Sequence, residues 1–237
     1  MISESRIAAQ LVRLPTLPVS YYRIVRLAND PRSSAADFEK AMTPDPPLTA
    51  NVLRLANSAF FGVPRTIASI RHAVTMLGTM RVVQAALGAA MRKVVPSVLP
   101  GYGMRADDFW RHSVAVAVLT SRIAEKRDLH DPGTAFTAGL LHDIGKLVTG
   151  VFLAEEMNGI MTKMQQEGKP MVTAEQIVLG VDHARVGVLV AEKWQLPPVI
   201  CQAVRYHHEP SEATSERALV DLVHVTNCLA HSLGQGT

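Results

Sequence analysis

Proline and glycine divide this chain into short apolar segments, and within each segment the apolar residues recur at helical spacing. Ile67, Ile70, Val74 and Leu77, for example, lie three or four residues apart, which places their side chains on one face of an α-helix. No stretch alternates apolar and polar residues between turn signals as a half-buried strand does. The pattern therefore predicts an all-α chain.

The same breaks set the expected bounds of the helices, which are predicted over 3–14, 19–28, 35–42, 48–57, 67–77, 79–92, 107–126, 132–143, 147–153, 154–167, 173–180, 183–194, 196–206 and 216–233. The segment over 79–92 is apolar nearly all round, which predicts a buried, central helix. The stretch from Pro96 to Gly103 is rich in proline and glycine. It is interpreted as the seam between an N-terminal helical subdomain (1–100) and a second helical subdomain (101–237).

Composition narrows the classes of function. The chain has 237 residues, of which 48% are apolar and 19% charged, a balance that indicates a globular fold with a substantial core. The net charge is +3 without a long Lys/Arg run, so the basic residues are interpreted as a solvated surface, and no nucleic-acid partner is expected. Cys201 and Cys228 form no Cys-x-x-Cys pair and are interpreted as free thiols of a reducing compartment.

The N-terminal residues predict a location. Charges stand at Glu4 and Arg6, where a secretory signal would become apolar, and no run of 18 apolar residues occurs. Neither a secretory signal nor a membrane span is therefore expected. These features predict a cytoplasmic protein without a membrane partner.

The stretch from Gly139 to Lys146 places an imidazole next to a carboxylate at the end of an apolar helix. Imidazole and carboxylate are a metal-ligand pairing. In a helix of about 3.6 residues per turn, His142 and Asp143 point about 100° apart, so both reach one ion most easily where the helix ends. Gly145 can end that helix. Lys146 is then expected to be free to neutralise an anion such as phosphate.

Other histidines are predicted at helix positions from which they could converge on this pair. His112 lies one turn after Asp108, on the same helix face. His183 opens one helix, and His207 and His208 close another. Separate helix ends that each deliver a His or Asp build metal centres in helical proteins, and neutral imidazoles suit Fe, Mn, Ni or Zn. Two ions about 4 Å apart would hold a bridging water as nucleophile and clamp a phosphate.

Each of these histidines also has a purely structural interpretation. His112 could be a hydrogen-bonded core residue, His183 could assist the cap of its helix, and the pair at 207–208 could be a polar helix terminus. The other histidines show no partner pattern and are expected to be structural or exposed: His72, His130, His224 and His231.

The order His112, His142-Asp143, Lys146 resembles the HD superfamily of metal-dependent phosphohydrolases. The whole chain more closely resembles the HDOD family, the HD-related output domain of bacterial signalling proteins. The family-like phrases run from residue 14 to about 230 and include Leu14–Pro18, Leu55–Phe60, Ile67–Val74, Phe109–Ser113, Gly139–Lys146, Asp182–Gly187 and Arg205–His208. The resemblance implies an HD-domain-like helical bundle preceded by an N-terminal helical subdomain, and it specifies no reaction.

Two features depart from the catalytic HD proteins. Those enzymes end their motif with an Asp on the last helix, and the matching position here is Asn227, a neutral and weaker ligand. The Gly-Tyr-Pro signature of the HD-GYP type of cyclic di-GMP phosphodiesterase does not follow His208, and Gly101–Gly103 is unrelated to it by position. The resemblance nevertheless places these residues at ligand positions of that type: His112, His142, Asp143, His183, His207, His208 and Asp108.

The resemblance leaves two functions open. The first is a regulatory output module of bacterial signalling that acts on a receiver or sensor protein in trans, with binding of a metal or a nucleotide as an option. The second is a metal-dependent phosphohydrolase of a nucleotide or cyclic dinucleotide. In that case Asp143 and Lys146 would take part in catalysis. One or two divalent ions would be held by the candidate ligands His112, His142, His183, His207, His208, Asp108, Asp143 and Asn227. No cofactor other than the metal is expected.

Overall fold

The computed structural model confirms the all-α class and describes residues 4–14, 16, 18–28, 30–58, 62–64, 66–94, 98–152 and 155–234. Its helices are α1 (Glu4–Arg13), α2 (Val19–Ala28), α3 (Ala35–Met42), α4 (Pro46–Ala56), α5 (Ile70–Leu77), α6 (Thr79–Val94), α7 (Ala106–Arg127), α8 (Pro132–Leu141), α9 (Lys146–Phe152), α10 (Met157–Glu167), α11 (Met171–Leu179), α12 (His183–Lys193), α13 (Pro198–Tyr206) and α14 (Arg217–Ser232). Within the described ranges, no helix is both long and apolar enough to cross a membrane. Parts of two family-like phrases, Pro15, Leu17, Ala59 and Phe60, lie outside the described residues.

The contacts between Cα atoms divide the chain into two compact units. The N-terminal unit, Thr16–Val94, contains α2 to α6. The C-terminal unit combines Met1–Pro15 with Val95–Thr237 and therefore contains α1 and α7 to α14. Lys193 of α12 ties α1 to this unit, because its ammonium donates to the Leu14 carbonyl at 2.9 Å. The sequence-based subdomains place α1 in the other half, and their boundary at residue 100 stays a prediction.

The N-terminal unit is built around apolar side chains from each of its helices. The helix predicted to be buried and central is confirmed as such, since most of its described residues from Val82 to Met91 are inaccessible to solvent. Asn57, just after α4, closes the loop to α5: its amide oxygen accepts from the Ile67 N–H at 2.7 Å, and its amide nitrogen donates to the Ile67 carbonyl at 2.8 Å.

Pro100, Gly101 and Gly103 lie in a small hairpin within the all-α fold, which the sequence pattern does not indicate. Strand β1 (Val98–Leu99) pairs antiparallel with β2 (Met104–Arg105). A 3₁₀ turn over Pro100–Tyr102 joins them and ends at Gly103, whose φ of +61° favours glycine. Two-residue strands carry no periodicity that a sequence pattern can register. The turn brings Tyr102 into the C-terminal unit.

Aspartates cap the starts of two helices that deliver site residues. Asp131 accepts from the Thr134 N–H at 2.7 Å before α8, and Asp182 accepts from the Arg185 N–H at 2.7 Å before α12. The helix predicted over 173–180 begins two residues earlier, at Met171. Glu175 of this helix accepts from the backbone N–H of His183, the first residue of α12.

A close backbone approach joins the turn after α8 to the start of α12. A Cβ atom added at Gly145 would lie 1.8 Å from the His183 carbonyl oxygen and 2.6 Å from the Gly187 nitrogen. Only glycine fits at such a separation. This contact brings His142 and Asp143, in the turn between α8 and α9, next to His183 at the start of α12.

Candidate metal centre

The C-terminal unit brings histidines from several helices around one carboxylate. Among the described residues, two groups have potential metal-ligand atoms within 4.8 Å of one another, and both include Asp143. The first group is His112, His142 and Asp143; the second is Asp143, His183, His207 and His208. His112 comes from the middle of α7, and the others come from helix ends or the turns beside them. All are buried except His208, which is half-buried.

Asp143 lies at the centre of the cluster. Its Oδ2 is 3.4 Å from His142 Nε2 and 3.6 Å from His112 Nε2. Its Oδ1 is 3.2 Å from His183 Nε2 and 3.4 Å from His207 Nε2. Each carboxylate oxygen therefore faces a different pair of imidazoles, as in a carboxylate that bridges two ions.

The outer nitrogens of three imidazoles have acceptors that fix the position of the ring proton. His142 Nδ1 donates to the Gly139 carbonyl and His207 Nδ1 to the Val204 carbonyl, each at 2.8 Å. His183 Nδ1 donates to Glu175 Oε2 at 2.7 Å. Because a carbonyl oxygen can only accept, the proton of a neutral ring sits on Nδ1, and the Nε2 lone pair faces the cluster. Metal-binding histidines are oriented in this way.

Two atoms at the centre lack hydrogen bonds. His207 Nε2 and Asp143 Oδ1 are buried, lie 3.4 Å apart, and have no hydrogen-bond partner among the described residues. Two facing acceptors that are desolvated on folding destabilise a protein unless a cation or a hydrogen-bond donor lies between them. A divalent cation would satisfy both, so the residues present fit a metal.

The pKa values of His207 and His208 agree with this donor set. Burial lowers the pKa of His207 to about 4 and also lowers that of His208, which leaves both rings neutral, the form that binds metal. Burial also opposes the charge of His183, but the carboxylates of Glu175 and of Asp143, the latter 3.2 Å away, raise its pKa to about 9, so a metal would displace a proton from this ring. Burial would raise the pKa of Asp143, but His142 and Lys146 hold it well below its usual value.

A second layer of buried polar groups holds His183. Glu175 is fully buried, and its Oε2 accepts from both Nδ1 and the backbone N–H of His183, at 2.7 and 2.9 Å. Its Oε1 accepts from the Tyr102 hydroxyl at 2.6 Å, and that hydroxyl lies 2.6 Å from Thr149 Oγ1. Three separate elements, α11, the 3₁₀ turn and α9, thus fix one imidazole. Sequence reasoning missed this network, since the segments that form it follow no common spacing.

Lys146 is buried beside the cluster. Its ammonium donates to Asp143 Oδ2 at 2.7 Å, and its side chain lies 5.9 Å from the centre of the Tyr102 ring. In this arrangement the ammonium balances the charge of Asp143. The expectation that it is free to bind a phosphate stays a prediction.

Asp108 and Asn227 are not part of the cluster. Asp108 is half-buried and forms an ion pair with Arg111, one turn along α7. Asn227 is buried on α14, and its Oδ1 has no hydrogen-bond partner. Neither belongs to the two groups found in the described part of the chain. Their role as ligands stays a prediction.

Two histidines without a partner pattern in the sequence lie beside the cluster. The His231 ring centre is 4.8 Å from that of His112, and His224 Nδ1 donates to the His207 carbonyl at 2.7 Å. Both come from α14, which therefore contacts the cluster from the side of His112 and supports the backbone that carries His207. His130 is outside it and pairs with Glu216 at 3.4 Å.

Replacing Glu175 with glutamine should weaken metal binding by about 10- to 100-fold, as loss of a carboxylate behind a ligating imidazole does. Glutamine retains the shape and an acceptor for His183 Nδ1 but removes the negative charge. The measurement is competition for the metal against a chelator of known affinity. Glu167→Gln, on the exposed ion pair with Lys163, is the control and should match the wild type. Equal affinities for all three proteins would contradict the positioning role.

The sequence and the fold of this chain are similar to those of known proteins. The HDOD domain model matches residues 14–210. An HDOD domain protein of unknown function from Geobacter sulfurreducens has a similar structure, with a TM-score of 0.83, 29% identity and coverage of 99% of this chain and 80% of that one. A candidate phosphohydrolase from Shewanella amazonensis SB2B is also similar, with a TM-score of 0.83, 26% identity and coverage of 98% and 82%.

An uncharacterized protein of Treponema pallidum (strain Nichols) is 26% identical over 230 residues, which are 93% of this chain and 43% of that protein. The chain thus spans less than half the length of this relative. Such a likeness concerns the shared domain and leaves the remainder of the longer protein without a counterpart here.

Proposed function

Because the chain belongs to the HDOD family, we propose that it is a signalling output module whose C-terminal unit binds one or two divalent metal ions through His112, His142, Asp143, His183, His207 and His208. One observation carries the proposal: outward hydrogen bonds at Nδ1 turn the Nε2 atoms of His142, His183 and His207 toward the Asp143 carboxylate. A polar core without a metal would pair these atoms with one another or with donors. His142 Nε2 and His183 Nε2 face the Nε2 atoms of His112 and His208, at 3.3 and 3.0 Å. His207 Nε2 and Asp143 Oδ1 have no such pairing among the described residues.

The regulatory part of the proposal rests on the family. HDOD domains resemble output modules of bacterial signalling, so a receiver or sensor protein acting in trans is the proposed partner. A metal that links α7, α12, α13 and the turn after α8 would fix these helices relative to one another. Metal occupancy would then change how the unit presents its surface to that partner.

A second candidate function, a metal-dependent phosphohydrolase, is favoured by the two ligand groups that share Asp143. Two bound ions would supply an activated water and a clamp for a phosphoryl group. In this role the burial of the cluster residues excludes most water from the centre, and Lys146 balances the Asp143 charge. The similar protein from Shewanella amazonensis SB2B is named as a candidate phosphohydrolase.

Replacing His142 with alanine should abolish metal binding by the first group and, if the chain is a hydrolase, all turnover. The variant removes an Nε2 atom 3.4 Å from Asp143 Oδ2. Metal content and hydrolysis of bis(p-nitrophenyl) phosphate are measured on the same samples. His130→Ala is the matched control, since His130 pairs with Glu216 outside the cluster, and should leave both unchanged.

The wild-type result separates the two candidates. Metal-loaded protein that hydrolyses neither this ester nor a panel of nucleotides would support the output module. Turnover that disappears in His142→Ala would support the hydrolase. Turnover that persists in metal-free His142→Ala would contradict a metal-dependent reaction at this cluster.

A further inference from the structure

A pocket of about 570 Å³ lies beside the metal centre in the C-terminal unit, a volume within the range of about 300–1,000 Å³ for small-molecule sites. Its wall includes His208, whose Nε2 is 3.0 Å from His183 Nε2. The pocket and the cluster therefore share one imidazole, the half-buried one. A ligand in the pocket would reach the ions that the cluster is proposed to hold.

Two arginines from neighbouring helices line this pocket, Arg185 of α12 and Arg205 of α13. The Arg185 side chain is 58% exposed, and its Nε lies 4.0 Å from Asp182 Oδ2, beyond hydrogen-bond distance. That carboxylate already accepts from the Arg185 N–H and from the Gln176 side chain. It orients the guanidinium electrostatically without occupying its donors. Paired guanidinium donors suit the oxygens of a phosphate.

The remaining wall has the opposite charge and an aromatic ring. Glu209 and Glu212 line the pocket together with Tyr206, and the Arg205 guanidinium lies 5.0 Å from the Tyr206 ring centre. The two carboxylates repel a bare anion but accept hydrogen bonds from N–H or O–H groups. The pocket is therefore suited to a ligand with a phosphate at one end and hydrogen-bond donors at the other.

We propose that this pocket binds a nucleotide, with its phosphate between the two arginines beside His208 and the N–H and O–H donors of its base and sugar directed to Glu209 and Glu212. The inference rests on the proposed metal centre and names the ligand class that it would act on or sense. A phosphate at this place adjoins the metal-binding residues. The base or sugar would lie at the outer wall, where Tyr206 offers the face of a ring.

The test is nucleotide affinity in the full chain loaded with metal, measured by calorimetry. The probes are the four ribonucleoside 5′-monophosphates, ribose 5-phosphate and inorganic phosphate. At least one nucleotide should bind more tightly than inorganic phosphate. The double variant Arg185→Gln/Arg205→Gln should weaken nucleotide binding by about tenfold or more, as loss of charge-assisted hydrogen bonds does. Arg122→Gln, on the exposed pair with Glu125, should bind as the wild type does.

A second double variant, Glu209→Gln/Glu212→Gln, tests the outer wall. It should reduce the preference for the nucleotide over inorganic phosphate. The pocket assignment is overturned if no nucleotide binds, if inorganic phosphate binds as tightly, or if the arginine variant matches the wild type.

Metal content, measured on the same samples, separates this inference from the proposed function. Metal without any arginine effect contradicts the nucleotide pocket alone. An arginine-dependent nucleotide affinity in protein that holds no metal contradicts the metal centre alone.

Discussion

Gly145→Ala is expected to destabilise the C-terminal unit severely, by about 4 kcal/mol or more, in the range reserved for buried steric conflicts. The added Cβ would lie 1.8 Å from the His183 carbonyl oxygen and 2.6 Å from the Gly187 nitrogen. Both are backbone atoms, so no side chain can rotate away, and the turn after α8 must separate from α12. In a chain of this size, 1 kcal/mol of stability corresponds to about 2–4 °C in Tm. The Tm of the variant should therefore be lower than that of the wild type by about 10 °C or more.

Gly159→Ala is the matched control for this prediction. Gly159 lies within α10, where an added Cβ would meet only the Val178 methyl groups, at 3.4 and 3.5 Å. That substitution should be neutral or stabilising by up to about 1 kcal/mol, since alanine is the better helix former. Equal melting temperatures for the two variants would show that α12 does not approach the turn as closely as described.

Asp143→Asn is expected to remove all bound metal, because both ligand groups depend on this carboxylate. It should also destabilise the fold by about 3–5 kcal/mol, the usual effect of leaving one member of a buried ion pair without its partner. That partner is Lys146, whose ammonium lies 2.7 Å from Asp143 Oδ2 and is almost inaccessible to solvent. Elemental analysis and thermal unfolding measure the two effects separately.

A double variant separates metal loss from instability. Asp143→Asn/Lys146→Met removes both charges and should recover most of the stability that Asp143→Asn loses. It should still bind no metal. If the double variant regains metal along with its stability, Asp143 is a structural residue and the ligand assignment is wrong.

The sequence is sufficient to predict the helices and their starts because those depend on local patterns. Asp131 and Asp182 cap the helices predicted for them, and α2 and α3 have the predicted bounds. The prediction fails where long-range contacts override a local signal. The helix predicted to begin at residue 173 begins at Met171, and its Glu175 bonds to His183 eight residues later, a pairing that no helical periodicity contains.

Much of the site was likewise predictable from residue type and position in the chain. The histidines at helix ends were expected to converge, and the structure brings them together around Asp143. Asp108 was placed with them because of its spacing from His112, but that spacing ignores Arg111, with which it pairs. The Tyr102–Glu175 contact joins a hairpin turn to α11. It depends on tertiary structure that a linear pattern does not encode.

The metal content of the wild-type chain tests the central claim most directly. The protein is purified without chelator, and its metals are measured by elemental mass spectrometry per mole of chain, before and after excess Fe, Mn, Ni or Zn is offered. Asp143→Asn/Lys146→Met is treated in parallel. One to two equivalents in the wild type and none in the variant are predicted. No metal in the wild type after excess has been offered, or equal amounts in both proteins, would contradict the metal centre.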